Sequence, residues 1–415
     1  MTSKAEKNRK KNQRLRIKNM HHLRELQLEQ EFCQALQRFL DALGVPDAFK
    51  QLSAGNKRFL VTARMRPTRI VPDKGVILSP LKRATMLFIM EELLSTIKVQ
   101  ITDDGTEITI KDLLSAGISC YAYVMCSRKS TKKDLITFCE LLNPFVEYYY
   151  HNETTIIQKI THGYDYFGFM LSRVNQKMYY VKSDFNEYGS GKKLTMAHTV
   201  TVYEVPNEKR TFTCRGIRRP AYRIGVPFSY AGIQWTTMTA DNFGTSGTLN
   251  TTPMPVYIQS HALIRLNERL DTISNYLLFP NLFISCVKTK TIPLKKNNAL
   301  ILFDYFNYTL GYFVAEIVND AVVLKTFLFV TSSGTPQGDL LDKELNTGKL
   351  EKNFLKIDRL STFVNSDIMQ DERVRSIFKK AGLDYLERLP GELSGKDAIR
   401  QKGFAADFIK YLQIA

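Results

Sequence analysis

His261, Arg265, Glu268 and Arg269 stand three and four residues apart within PVYIQSHALIRLNERL, the stretch from Pro255 to Leu270. On a helix, at about 100° per residue, they gather on one side, while Leu263, Leu266 and Leu270 fall in a narrow apolar arc opposite. One helix thus offers an imidazole, a carboxylate and guanidinium groups side by side. Cutting RNA without a metal uses that inventory: a group to take the 2′-hydroxyl proton, a group to protonate the leaving oxygen, and fixed positive charge for the crowded phosphate. Surface helices also carry Arg and Glu at this spacing as solvated ion pairs, so spacing alone admits both readings.

Two further basic groups bear on the same chemistry. Lys209, Arg210, Arg215, Arg218, Arg219 and Arg223 follow one another without an intervening acid, with Phe212 and Tyr222 interleaved. Arginine forks suit phosphate oxygens and aromatic faces stack bases, a mixture that fits single-stranded RNA or DNA; a solvated basic loop packed on acidic neighbours has the same composition. Lys288, Lys290, Lys295 and Lys296 lie just beyond the His261 helix and are expected to flank its polar face if that helix folds back on the sheet that follows. The loop TSSGTPQG, 331–338, has the small residues of an anion-binding nest, and equally of an ordinary strand-to-helix turn.

Other chemistries lack their residues. Gly189-Ser190-Gly191-Lys192-Lys193 resembles a nucleotide loop only superficially, because Asn186 stands where the earlier glycine is required. No His-Glu-x-x-His, no carboxylate cluster with metal spacing and no Gly-x-Ser-x-Gly elbow occurs, and neither a cofactor nor a metal is expected. His151, His162 and His198 border or lie within expected strands and read as structural or solvent-facing.

The chain has 415 residues, 44% of them hydrophobic, and a formal charge of +17 from 58 Lys and Arg against 41 Asp and Glu. It is long enough for two or three domains, and its charge favours phosphate-rich partners. The apolar tract Ala321 to Val330 is short and broken by Lys325, far from the roughly 18 apolar residues of a bilayer crossing, so no membrane insertion is expected. The six cysteines are scattered without Cys-x-x-Cys pairs, and the N-terminus lacks the apolar centre of a secretory signal. A cytoplasmic protein with free thiols is expected.

These residues need elements to position them, and the pattern predicts a multidomain α+β chain of antiparallel sheets with packed helices. Residues 1–24 form a basic arm expected to be frayed. A domain over 25–150 mixes helices near 22–43, 80–97 and 132–142 with a hairpin over 98–110 turning at Asp104-Gly105. A β-rich region over 151–252 begins with strands expected at 154–161, 166–174, 177–183 and 195–204, and continues as a Gly- and Pro-punctuated loop. The main boundary is placed near Thr252. A module over 253–345 sets the His261 helix beside an antiparallel meander of 299–308, 312–318 and 322–331, and residues 346–415 return to helical spacing.

The portion from Tyr257 to about Leu341 resembles the RelE/barnase-like superfamily of small ribonuclease toxins. SHALIRLNER at 260–269 is close to the Ser-His-Ala…Arg…Glu-Arg helix start of some members, and a meander ending in FLFVTSSGTPQG follows it. The resemblance implies a helix packed on a strongly twisted antiparallel sheet, and metal-independent RNA cleavage. It implies His261 as general acid or base, Arg265 and Arg269 as stabilisers of the phosphate, and Glu268 as a base or as the residue orienting an arginine. The expected function is therefore RNA binding coupled to endonucleolytic cleavage, with a neutralising protein partner as a possible companion. The competing expectation is a non-enzymatic nucleic-acid-binding accessory or packaging factor of a mobile element or phage, in which the same cations bind without cutting.

Overall fold

Phe32, Leu36, Phe39 and Leu40 recur at helical steps and are buried, and the helix they specify, α1 (Lys4–Ala42), stops before Gly44 at φ +72°. In this computed structural model, which describes residues 4–188, 195–214, 216–244, 252–288, 290–295, 298–305, 307–346 and 349–389, α1 reaches back to Lys4. The basic N-terminal stretch therefore continues a helix where a frayed arm was expected; its Lys, Arg and Gln are good helix formers once a packed segment has nucleated the turn.

The chain divides into two compact units, residues 1–168 with 180–204, and residues 169–179 with 205–415. The first contains α1, α2 (Ala48–Gln51), α3 (Ala54–Thr62), β1 (Arg66–Pro72), α4 (Pro80–Thr96), β2 (Lys98–Gln100), β3 (Glu107–Thr109), α5 (Ile110–Asp112), α6 (Ile118–Ser127) and most of α7 (Lys133–Leu171), together with most of β4 (Lys177–Tyr188) and β5 (Thr195–Pro206). The hairpin at Asp104-Gly105 is present as β2 and β3, with Gly105 at φ +90°. The strands expected at 154–161 and 166–174 fall instead on the second half of α7, which runs to Leu171, and on the turn after it. Their β-branched and aromatic residues suggested extended chain, yet Ile156, Ile160, Tyr164 and Phe167 are buried at three- and four-residue steps, so packing overrides propensity. Strands β1, β5 and β4 lie in that order in one sheet, β1 parallel to β5.

The second unit carries β6 (Lys209–Cys214), β7 (Ile217–Arg223), β8 (Gly225–Phe228), β9 (Gly232–Trp235), β10 (Thr237–Met238), β11 (Met254–Gln259), α8 (Ser260–Arg269), α9 (Asn275–Lys288), β12 (Thr291–Pro293), β13 (Asn298–Tyr305), β14 (Tyr308–Val318), β15 (Ala321–Phe329), α10 (Pro336–Leu345), α11 (Lys349–Phe354), α12 (Leu360–Asn365) and α13 (Glu372–Lys380). Its main sheet has the order β12-β13-β14-β15-β11-β7-β6, with β10 also paired to β11. Neighbours run antiparallel except β15 and β11, which are parallel. The expected meander is β13-β14-β15, turned at Asn319 with φ +55°.

Two domain expectations change here. The segment after Pro206 is not a loop: β6 and β7 form a hairpin, and β7 pairs with β11. The boundary near Thr252 therefore falls inside one sheet. The helices after residue 345 are not separate either, because Leu263, Leu266, Phe329, Phe363 and Phe378 belong to one buried cluster. Residues 390–415 lie outside the described residues. The whole is a mixed α+β, multidomain fold of mainly antiparallel sheets packed against helices. Its cysteines are free thiols, and among the described residues no helix is long and apolar enough to cross a membrane.

His198 on β5 is buried in the first unit, with Nδ1 2.8 Å from the Thr68 hydroxyl and Nε2 2.9 Å from the Tyr164 hydroxyl. Burial pushes its pKa down to about 4. A folded-state pKa below the unfolded value of about 6.5 means that protonation favours the unfolded state. The unit is therefore expected to hold its full stability above about pH 6.5 and to lose on the order of 2–3 kcal/mol as pH falls to about 4. Hydrogen exchange of β1 and β5 amides across this range, with His198→Gln as the control that flattens the dependence, measures it.

Candidate functional site

Strand β11 delivers its chain directly into α8, and the helix buries Ala262, Leu263 and Leu266. That burial turns the opposite face toward a cavity of about 540 Å³ in the second unit, bordered by His261, Arg265, Arg269, Arg219, Gln259 and Lys325 among others. Val314, Leu300 and Phe327 supply apolar wall, and the Ser332–Gly334 loop with Lys352, Asn353 and Asp358 closes another side. The polar face read from spacing is thus a cavity wall.

The four residues of that face differ in what they are free to do. His261 is half-buried and forms no hydrogen bond or ion pair among the described residues. Burial lowers its pKa below the ordinary imidazole value, and the guanidiniums of Arg219 and Arg265 lower it further against an opposing pull from Glu268. Its ring is neutral at pH 7 and able to accept a proton. Arg265 is paired with Glu268 at 2.7 Å. Glu268 is exposed and does not border the cavity, so its geometry is that of a partner orienting Arg265, not of a base.

Arg269 is held at the cavity's edge by the nearly inaccessible carboxylate of Asp358, the Asp358 carbonyl at 3.3 Å and the Asn353 side-chain oxygen at 3.2 Å. Desolvation, with Arg265 and Arg359 nearby, lowers its pKa to about 10, which leaves it charged at neutral pH. Its guanidinium fastens α8 to the segment before α12. With its donors engaged in this way, Arg269 does not offer the free guanidinium expected of it, whereas another cavity residue does.

That residue comes from the central basic group. Arg219 on β7 borders the cavity and has no ion-pair partner among the described residues. The rest of the group is dispersed. Arg210 pairs with Asp320 at 3.1 Å and lies over the Phe212 and Tyr257 rings, while Arg223 pairs with Glu208 at 2.8 Å and lies over Trp235. Lys209 and Arg218 are exposed on the β6–β7 hairpin, and Arg215 is outside the described residues. Phe212 is buried against Ala221, Tyr257 and Val323, so it stacks on protein and offers no face to a base. Lys288, Lys290 and Lys295 are exposed and do not border the cavity, where Leu294 is the contribution of their segment; Lys290 faces Asp304 at 3.5 Å, and Lys296 is outside the described residues.

Besides Asn353 and Asp358, the polar cavity residues Lys325, Gln259 and Lys352 were not singled out from the sequence as site residues. Lys325 interrupts the apolar run of β15, the one signal that marked it; its Nζ donates to Glu316 Oε2 and to Asn298 Oδ1, both at 2.7 Å. Gln259 is almost fully buried at the start of α8, and among the described residues its side-chain amide donates only to the soft Cys214 Sγ at 3.6 Å. Lys352, 1% exposed, donates to the carbonyls of Thr331 at 2.8 Å and Gly338 at 2.7 Å and pairs with Asp342 at 2.6 Å. It ties down the 331–338 loop from below.

The loop itself is built as a turn. Thr335 caps α10 by accepting from the Gly338 amide at 2.9 Å, the Gly334 amide donates to Asp339 at 2.6 Å, and the Ser332 and Thr335 amides donate to backbone carbonyls. Those amides are engaged within the turn, which favours the geometric reading over an anion nest. A Cβ at Gly338 would sit 1.9 Å from the Ser332 carbonyl oxygen, so only glycine fits there.

Among the described residues no group of three or more His, Cys, Asp or Glu side chains is gathered as a metal would require. Comparison of the chain with protein-family models, with curated proteins and with solved structures finds no match.

Replacing Lys352 with Met leaves Asp342 and two carbonyls without their shared donor inside the fold. Breaking a buried pair in this way is expected to cost about 3 kcal/mol. Urea unfolding followed by the fluorescence of Trp235, the chain's only tryptophan, reads the loss in this unit; an unchanged midpoint contradicts the assigned role.

Proposed function

We propose that the second unit is an RNA-binding module with metal-independent endoribonuclease chemistry. The observation that carries this reading is the convergence of His261, Arg265 and Arg219 on one cavity, with the imidazole neutral and unpartnered and Arg219 uncompensated. The packing of α8 against β15, the last strand of the β13-β14-β15 meander, is in keeping with the RelE/barnase-like resemblance, to which this chain adds β11, β7 and β6 on the far side of β15.

In the proposed reaction, His261 takes the proton of a 2′-hydroxyl, and that oxygen attacks the adjacent phosphorus. The bond from phosphorus to O5′ breaks, water supplies the proton to the departing O5′ and the hydroxide so formed recovers the proton held on His261, and the products are a 2′,3′-cyclic phosphate and a 5′-hydroxyl. Arg219 and Arg265 face the charge that builds on the non-bridging oxygens; fixed cations in a partly closed cavity need little reorganisation as it develops. Most cavity cations have carboxylate partners: Arg265 has Glu268, Arg269 has Asp358, Lys325 has Glu316 and Lys352 has Asp342. Arg219 is left to balance the single charge of one phosphodiester, which matches RNA better than a polyphosphate.

Incubating purified protein with single-stranded RNA in EDTA tests the proposal. Cyclic-phosphate ends are expected, and His261→Ala is expected to slow their formation by about 100-fold or more with RNA binding retained. Because a base must be unprotonated, kcat/KM is expected to fall on the acid side through a pKa below 6.5, the ordinary imidazole value. Salt-sensitive binding with RNA left intact selects the accessory-factor alternative instead.

A further inference from the structure

Lys325 lies where a lysine is costly. It interrupts the buried strand β15, with Leu324 and Phe327 on either side in the core, and its own side chain is 12% exposed. Removing a charge from water carries a penalty that one carboxylate partner seldom repays, so a position of this kind calls for a use.

The backbone is shaped around it. Val314 pairs with Thr326 and Ala315 with Leu324, so Lys325 is the extra residue of a β-bulge between β14 and β15. A bulge re-aims a side chain that a regular ladder would fix, and this one borders the cavity. Two of the three ammonium N–H groups are committed, to Glu316 and to Asn298 at 2.7 Å each. The third has no acceptor among the described residues. Neither Glu316 nor Asn298 borders the cavity, so an anion entering meets the ammonium with its carboxylate partner behind it.

We propose that Lys325 is an anion-receiving residue of this cavity, donating its third N–H to a non-bridging phosphate oxygen of the bound strand, with Glu316 and Asn298 as positioning residues that hold the ammonium in place. The proposal rests on reading the cavity as a phosphodiester site and adds a contact to it.

Binding of a 2′-O-methyl RNA oligonucleotide, which presents phosphates and cannot be cleaved by 2′-hydroxyl attack, is measured against salt concentration. Lys325→Met is expected to weaken binding roughly tenfold at low salt and to reduce the slope of log K against log salt by about 0.7, the loss of one phosphate contact on a single strand. Lys325→Arg keeps most of the slope. The double variant Lys325→Met with Glu316→Met removes both partners, avoids an unpaired buried carboxylate and leaves net charge unchanged, so a reduced slope there reports a lost contact and not altered charge.

No binding by the parent protein, or parental slopes in both Met variants when they melt as the parent does, overturns the proposal. If His261→Ala abolishes cleavage while the Met variants keep the slope, the nuclease reading stands and this inference fails. If the protein cleaves nothing yet the Met variants lose slope, the anion contact stands and the nuclease reading fails.

Discussion

The ion pair between Arg269 and Asp358 is the constraint on which the site depends. Asp358 is almost wholly inaccessible and Arg269 nearly so, and the guanidinium also reaches the Asp358 carbonyl and Asn353. Leu263 and Leu266 press α8 onto the sheet, but burial is non-directional and would tolerate a rotated or displaced helix. A bidirectional fastening at the helix C-terminus removes that freedom, because an unpaired charge at this depth costs several kcal/mol. With the end fixed, Arg265 and His261, one and two turns back, have one place to be. The same pair draws the segment before α12 against the cavity and so makes a wall from residues that are distant in sequence.

A second requirement is that many cations share a small space. The structure meets it by giving most of them a private carboxylate: Glu268 for Arg265, Glu316 for Lys325, Asp342 for Lys352. Each partner neutralises charge over distance while leaving short-range donors in place, so the cavity holds its cations without the mutual repulsion that an unpaired cluster would carry. Position in the fold separates roles that composition does not. Arg265 and Arg269 are equivalent by type and periodicity, yet one sits against an exposed acid and the other against a buried one.

The local parts of this arrangement were legible in the sequence. Leu263, Leu266 and Leu270 against His261 and Arg265 is a period-3.6 pattern that reports the buried face of α8 without knowledge of its neighbours. The meander of β13, β14 and β15 reads as three apolar runs bounded by turn residues. What depends on long-range pairing was not legible. Nothing in Met254–Gln259 announces a strand parallel to β15, and without that pairing the β6–β7 hairpin reads as a basic loop. Once it is a strand pair, alternation decides the fate of each arginine: Arg219 borders the cavity and Arg218 is exposed, a distinction that a count of charges cannot contain. The reverse error at Thr154 to Val174 has the same origin, since Ile156 and Ile160 favour extended chain by type and become helical through what they pack against.

The two histidines with lowered pKa values make the physical difference between a structural and a reactive imidazole. His198 is more deeply buried and its pKa falls further, yet both ring nitrogens face hydroxyls, Thr68 and Tyr164, and Phe185 stacks on the ring at 4.6 Å. Protonating it would force one hydroxyl to give up a hydrogen-bonding role inside the core, so the proton arrives only as the surroundings loosen. His261 is lowered by burial and by neighbouring cations, with no bond of its own to surrender. A phosphate bound beside it would offset the field of Arg219 and Arg265 and raise the affinity of the ring for a proton. In the proposed reaction the substrate's own charge would then strengthen the base at the moment a hydroxyl proton is to be taken. Depth of burial therefore does not separate the two histidines in the proposed reading; an open valence next to compensable charge does.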